Sequence, residues 1–237
     1  MIFELDSDLS RRDTTWEKAR YLEQLPLGAA PGSRGWVHRS LRLRIAESRA
    51  DCALAADIVK HRHYHRKWPC PPKTLMMSYL SSLDGVGGLD AAGLVSVALL
   101  PNRYHVREAL GLSQLECLTL VRMWRADDLV PTIAPDLTPE TLRRVVRGER
   151  NRGPLRGVRD EWIARKCRAD GLRAAPRLLA TYADPALGHD GATYVAAGAV
   201  DCGRARCGKL LFAWGLDEET RNNLAALGRA VAERTAA

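Results

Sequence analysis

Nowhere in the 237 residues is there a run of eighteen apolar side chains, which excludes a helical membrane span and with it a membrane partner. The opening stretch, MIFELDSDLSRRDTTWEKAR, is charged from its fourth residue and lacks the apolar region of a secretory signal. The expected location is therefore the cytoplasm. CxxC pairs are missing too. Cys52, Cys70, Cys117, Cys167, Cys202 and Cys207 are scattered, and in a reducing compartment most read as free thiols. Cys202 and Cys207 have a spacing that a metal accepts, but no second pair lies nearby to complete a zinc site. Lysine is scarce, supplying six of the 36 basic residues, and no internal repeat is evident.

What remains is an ordinary soluble composition, 46% hydrophobic and 27% charged, in a chain long enough for one sizeable core. Net charge is +8, which suits a polyanionic partner. From Arg143 to Arg177 there are eleven arginines against four acids (Glu149, Asp160, Glu161, Asp170). Arginine makes the bidentate phosphate contacts that lysine cannot. The plainer alternative is a solvated arginine-rich face, because arginine and alanine both rise with GC-rich coding.

Residues 1–36 read as an N-terminal extension with a helix at 13–25 and a Pro/Gly-rich connector. Alternation predicts a strand over 40–48, followed by a helix with Asp51 as N-cap that ends before Pro69. Strands at 74–82 and 93–100 flank a Gly/Asp-rich hairpin, and a fourth strand covers 116–124. Helices are expected at 139–149 and 157–171, the second stopped by Gly171. Then come a buried strand (177–183), a short helix (192–200), a last strand (208–214) and an exposed helix (218–236). The domain proper is thus 37–217, with 218–237 as a C-terminal helix. This order predicts an α/β (α+β) fold, not a dinucleotide-binding one, which needs regular βαβ alternation.

Two segments carry chemistry. In TYADPALGHDGATY (181–194) a buried strand delivers Asp184 at its end, Gly188 and Gly191 let the backbone turn sharply around His189, and Tyr194 opens a helix. The plain alternative is a capping Asp and a core Tyr. In HRHYHRK (61–67), three histidines within five residues could hold a metal. His61 and His65 share a face on a helix, and all of His61, His63 and His65 share one on an extended segment. Otherwise they mark a cationic helix end.

The stretch LLATYADPALGHDGATYVAAGAV (178–200) resembles the signature of the Mom proteins, phage-associated DNA modification enzymes. The matching positions are Asp184, Gly188-His189, Gly191 and Tyr194. Weaker echoes are His63-Tyr64, Glu116-Cys117-Leu118 and Glu161-Trp162-Ile163, so the likeness spans roughly 41–214. It implies a GNAT-like fold, a central mixed sheet of about six or seven strands with helices on both faces. The implied activity is transfer of a carbamoylmethyl (acetamido) group to N6 of adenine in double-stranded DNA, protecting phage or mobile-element DNA from restriction.

On that likeness Asp184 orients or deprotonates the amine and Tyr194 protonates the leaving group or stacks on the base. His63 and Tyr64 lie on the donor or metal side, and Gly188, His189 and Gly191 line the substrate. Arg159 and Arg165 grip the DNA backbone. The likeness also implies iron at His61, His63 and His65, and leaves the donor unspecified. Acetyl-CoA is disfavoured, because no Q/R-x-x-G-x-G/A loop follows Trp124. The expected partner is double-stranded DNA, and a homodimer stays open. Two alternatives stand beside this reading. One is a GNAT-type N-acyltransferase on a small amine or protein, and the other a non-catalytic basic DNA-binding module.

Overall fold

The computed structural model describes residues 40–63, 75–84, 91–100, 104–126, 136–149, 155–167, 174–205 and 207–236. The predicted 1–36 extension, the hairpin loop at 85–90, Tyr64, His65 and the Gly171 stop lie outside them.

Seven strands form one sheet: β1 (Leu41–Ile45), β2 (Met76–Leu83), β3 (Gly93–Ala98), β4 (Cys117–Arg125), β5 (Leu178–Ala183), β6 (Val200–Arg204) and β7 (Leu210–Gly215). Their order is β1-β2-β3-β4-β5-β7-β6. Every neighbouring pair is antiparallel except β4 with β5.

Between the strands lie α1 (Arg49–Asp57), α2 (His105–Ala109), α3 (Leu137–Arg147), α4 (Val158–Trp162) and α5 (Ala192–Ala196), and after the last strand α6 (Glu218–Ala236). Strand alternation sorts them to two faces. Tyr79, Val95, Leu118, Leu179 and Trp214 point toward Leu142 and Val145 of α3 and Val158 and Trp162 of α4. Leu80 and Leu94 meet Ala55 and Ile58, while Leu178, Ala180, Leu211 and Ala213 meet Val106 and Leu224. Each large side chain so buried contributes roughly 1.5–3 kcal/mol. The predicted mixed sheet with helices on both faces is therefore observed.

Three local expectations are corrected and a fourth is extended. Ser48, not Asp51, caps α1: its Oγ accepts the Asp51 N–H at 3.0 Å, and Asp51 sits three residues in, paired with Arg44. The helix predicted over 192–200 stops at Ala196, because Gly198 adopts φ +85° and turns the chain into β6. That edge strand and the short α2 were not foreseen; both are brief, and β6 carries Asp201 and Arg204 among its five residues. Finally, α6 is exposed along most of its length, as expected, but its inner face is docked. Leu224 is buried, and a Cβ on Gly228 would lie 2.4 Å from Val200, so the helix packs directly on the β6 edge.

Asp217 caps α6 by accepting the Thr220 N–H at 2.7 Å and pairs with Arg177 at 2.8 Å. Burial alone would raise its pKa, but these hydrogen bonds overcome it and hold the carboxyl at about 2, against an ordinary 3.8. A depressed carboxylate stabilises the fold above the unfolded value and ceases to do so as pH falls through the folded one. About 2 kcal/mol of stability should therefore disappear between pH 4 and pH 2. Denaturant melts across that window should show a shallower loss in Arg177→Met.

Candidate functional site

The single parallel pairing is short. Cys117–Thr119 pair with Leu178–Ala180, but β4 continues to Arg125 and β5 to Ala183 without further rungs. The strands diverge, and a cleft of about 720 Å³ opens between them. β4 also carries a bulge there. Ser96 pairs with Arg122 and Val97 with Leu120, so Val121 has no partner on β3, and its carbonyl accepts Arg122 Nη1 at 2.7 Å beside the cleft.

β5 delivers Asp184 to the cleft mouth. Asp184 Oδ1 accepts the Ala186 N–H at 3.1 Å and caps the 3₁₀ turn Pro185–Leu187, while Oδ2 pairs with Lys209 Nζ at 3.1 Å. The hydrogen bond from Lys209 is the largest cause holding this carboxyl below its usual range. It is therefore a weak base, better suited to accept a hydrogen bond than to take a proton. Gly188 (φ +75°) ends that turn, Gly191 (φ +82°) opens α5, and Asp190 Oδ1 caps α5 through the Ala192 N–H at 2.9 Å. Gly191 is sterically required, since a Cβ there would lie 2.1 Å from the Phe212 ring. Tyr194 lies on α5 with its ring 5.4 Å from Phe212 and 6.0 Å, edge-on, from Trp214.

His63 enters from the opposite side. The α1 helix widens into a π turn at Ile58–Arg62, which the His63 N–H closes on Ile58, and His63 is extended and 4% exposed in the cleft wall. The cleft thus gathers His63, Asp184, Gly188, His189, Gly191 and Tyr194. Tyr64 is outside the described residues.

The metal and phosphate assignments fare differently. His61 is exposed and lies 3.9 Å from Asp57, away from the buried His63, because the chain leaves the helix between them. His65 is outside the described residues, and among those described no three His, Cys, Asp or Glu side chains gather. His61 and His63 thus point to different surroundings, and both faces expected to hold a metal include His65, outside the described residues. Cys202 and Cys207 do not form a pair: Cys202 is buried, with burial pushing its thiol up to about 12, and Cys207 is exposed.

Arg159 and Arg165 do not reach the cleft. Arg165 is tied to Glu161 at 2.7 Å and to Glu47, and Arg159 lines a separate cavity. Much of the arginine-rich segment is structural in the same way, with Arg143 and Arg144 on Glu140 and Arg177 on Asp217. Two echoes of the family signature are structural as well: Glu116 closes a capping box with Ser113, and Trp162 is core.

Sequence reasoning missed the β4 wall and its basic rim, formed by Arg62, Arg122, Arg125 and Lys209. It also missed the aromatic pair Tyr104–Tyr182 (5.2 Å), in which the Tyr104 hydroxyl donates to Thr119 at 3.1 Å. Thr138, at the N-terminal turn of α3, borders the cleft too, and its buried hydroxyl has no partner among the described residues. No helix of the described residues is long and apolar enough to cross a membrane.

No family model matches the chain, and no curated protein matches it in sequence. Among solved structures it is similar to the aminoglycoside acetyltransferase AAC(6')-Ib in complex with coenzyme A and kanamycin. That likeness has a TM-score of 0.43 and 14% identity, covering 84% of this chain and 100% of that one. It is similar also to the AHL synthase LasI, with a TM-score of 0.42 and 14% identity, covering 78% of this chain and 95% of that one. The fold class rests on the sheet itself: seven mixed strands, helices on both faces and one splayed parallel pair, a GNAT-like arrangement.

Proposed function

We propose that this protein is a transferase that moves an acyl-type group from an activated donor to an amine nitrogen in the cleft between β4 and β5. The observation that carries this reading is the splay itself. It opens a cleft of ligand size in which the β4 bulge, a carboxylate, two histidines and a tyrosine converge. A donor carbonyl between the strands would lie beside the bulge, whose backbone N–H suits a developing oxyanion. The amine nitrogen, oriented by the Asp184 carboxylate, attacks that carbonyl carbon. Its proton passes to His63 or His189, the bond to the leaving group breaks, and Tyr194 protonates the departing atom. Thr138, the α3 N-terminus, Arg122 and Arg125 suit the phosphates of a coenzyme A thioester, although Asp136 before α3 opposes them.

A second reading takes the amine as adenine N6 in double-stranded DNA and the group as carbamoylmethyl, with protection of phage or mobile-element DNA as the outcome. The basic rim and the +8 net charge favour it. So does Leu187, 53% exposed on the rigid turn at the cleft mouth, where an apolar side chain could fill the gap left by a flipped base.

Mass spectrometry of nucleosides from plasmid DNA of expressing cells, beside acetyl-CoA binding by the purified protein, separates the two. A heavier deoxyadenosine that disappears in Asp184→Ala supports the DNA reading. Acetyl-CoA binding with unmodified nucleosides supports the small-amine or protein acyltransferase. Unmodified nucleosides and no acetyl-CoA binding would count against both.

A further inference from the structure

A second cavity, of about 530 Å³, lies at the other end of β7, where the strand finishes against α3, α4 and the start of α6. Along α3 it is nine residues from Thr138, roughly 14 Å from the first cleft. Arg147, Arg159 and Arg221 converge on it with a single carboxylate, Asp160. Arg144, Arg165 and Arg177 hold carboxylates at 2.7–3.2 Å. Arg147 and Arg221, both exposed where they line this cavity, have no carboxylate partner among the described residues. Arg159 reaches Asp160 only at 3.7 Å, and its Nε is buried without a hydrogen-bond partner among the described residues.

Placement of Arg147 is also specified. Its Nη2 lies 3.2 Å from where a Cβ on Gly198 would sit, so the guanidinium rests on a glycine backbone held at φ +85°. Three like charges in one concavity repel one another, and an orphaned buried donor is costly. An oxyanion with several acceptor atoms removes both penalties at once, and the forked geometry of arginine matches phosphate in particular.

We infer that this cavity is a phosphate-binding site, distinct from the transfer cleft, in which Arg147, Arg159 and Arg221 hold the oxygens of a phosphate ester. The phosphate belongs either to a free phosphorylated molecule or to a nucleic-acid backbone passing over the α3 end. The inference stands whether or not the transferase reading does, because its test measures binding alone.

The test uses the full chain with two probes, inorganic pyrophosphate and a short DNA duplex, by calorimetry and thermal melting. Arg159→Gln/Arg221→Gln should weaken binding of at least one probe about tenfold or more. Lys209→Gln, in the first cleft, should leave that component in place. If pyrophosphate is the probe affected, the source is a small phosphorylated ligand. If only the duplex is affected, with the slope of log K against log salt flatter by about 2, the source is a nucleic-acid backbone. The milder Arg147→Lys, which keeps the charge and loses the fork, should bind with intermediate strength should the double variant fail to fold. Unchanged binding of both probes in a folded double variant, or equal binding by wild type and Arg147→Lys, overturns the inference.

Discussion

Replacing Glu140 by alanine should cost about 3–5 kcal/mol and lower the melting temperature by roughly 10 °C. Glu140 is 7% exposed on the first turn of α3. Its two carboxylate oxygens are divided between neighbouring guanidiniums: Oε1 accepts Arg144 Nε at 3.0 Å and Oε2 accepts Arg143. Arg144 in turn donates to the Leu41 carbonyl at 2.8 Å and to Glu149 at 3.2 Å. This network fastens α3 to β1 at one edge of the sheet and to the turn after the helix. Truncating Glu140 takes from Arg143 its carboxylate and from the buried Arg144 one of two, and burial makes a lost charge partner far more costly than exposure does. The control is the variant Glu140→Ala/Arg144→Met/Glu149→Gln, which also neutralises the carboxylate that Arg144 holds at 3.2 Å. Removing the charges of a buried network together is often near neutral, so this control should recover part of the loss although it lacks more native contacts. If it melts below Glu140→Ala, packing and not charge is the main contribution of Glu140. Calorimetric melts of the three proteins decide the matter.

That network shows what a sequence reading can and cannot resolve. Periodicity places α3 correctly to within two residues, because Leu142 and Val145 must face the sheet whatever the polar residues do. The same reading counts Arg143, Arg144 and Arg165 toward a phosphate-gripping segment, although Glu140 and Glu161 stand three or four residues before them at helical spacing; only the second partner of Arg165 is remote. Glu47, paired with Arg165, is 118 positions away. The 178–200 segment is legible for the opposite reason. Its strand end, two positive-φ glycines and capping aspartates act within a few residues, and Asp184, His189 and Tyr194 reach one cleft as a consequence. The facing wall is a long-range product. The bulge at Val121 depends on how β4 registers with β3, and no residue type at 120–122 announces it. The break between His61 and His63 likewise follows from a π turn that helical spacing alone does not reveal.

Gly191→Ala should be among the most damaging single-methyl changes in the chain, destabilising it by about 3 kcal/mol and disabling the cleft. Two separate costs add. At φ +82° an L side chain meets its own backbone, at roughly 1–2 kcal/mol. The new methyl would also sit 2.1 and 2.2 Å from two atoms of the Phe212 ring, and overpacking of that kind costs about 1–3 kcal/mol. The ring has little room to yield. Phe212 is 1% exposed, its strand is paired with β5 on one side and β6 on the other, and Tyr194 lies against it. Relief must come from the turn, which carries His189, Asp190 and the start of α5, so the strain is released into the residues that line the cleft. Gly188→Ala separates the two costs. Gly188 also has a positive φ, +75°, but a Cβ there meets nothing within 4 Å, and only the backbone penalty of roughly 1–2 kcal/mol applies. Urea melts should therefore rank wild type above Gly188→Ala and Gly188→Ala above Gly191→Ala. Adding Phe212→Leu to Gly191→Ala should narrow that last gap, because the shorter side chain vacates the space that the methyl needs. Equal midpoints for Gly188→Ala and Gly191→Ala would mean that the ring moves freely, and that Phe212 does not hold the turn against the sheet.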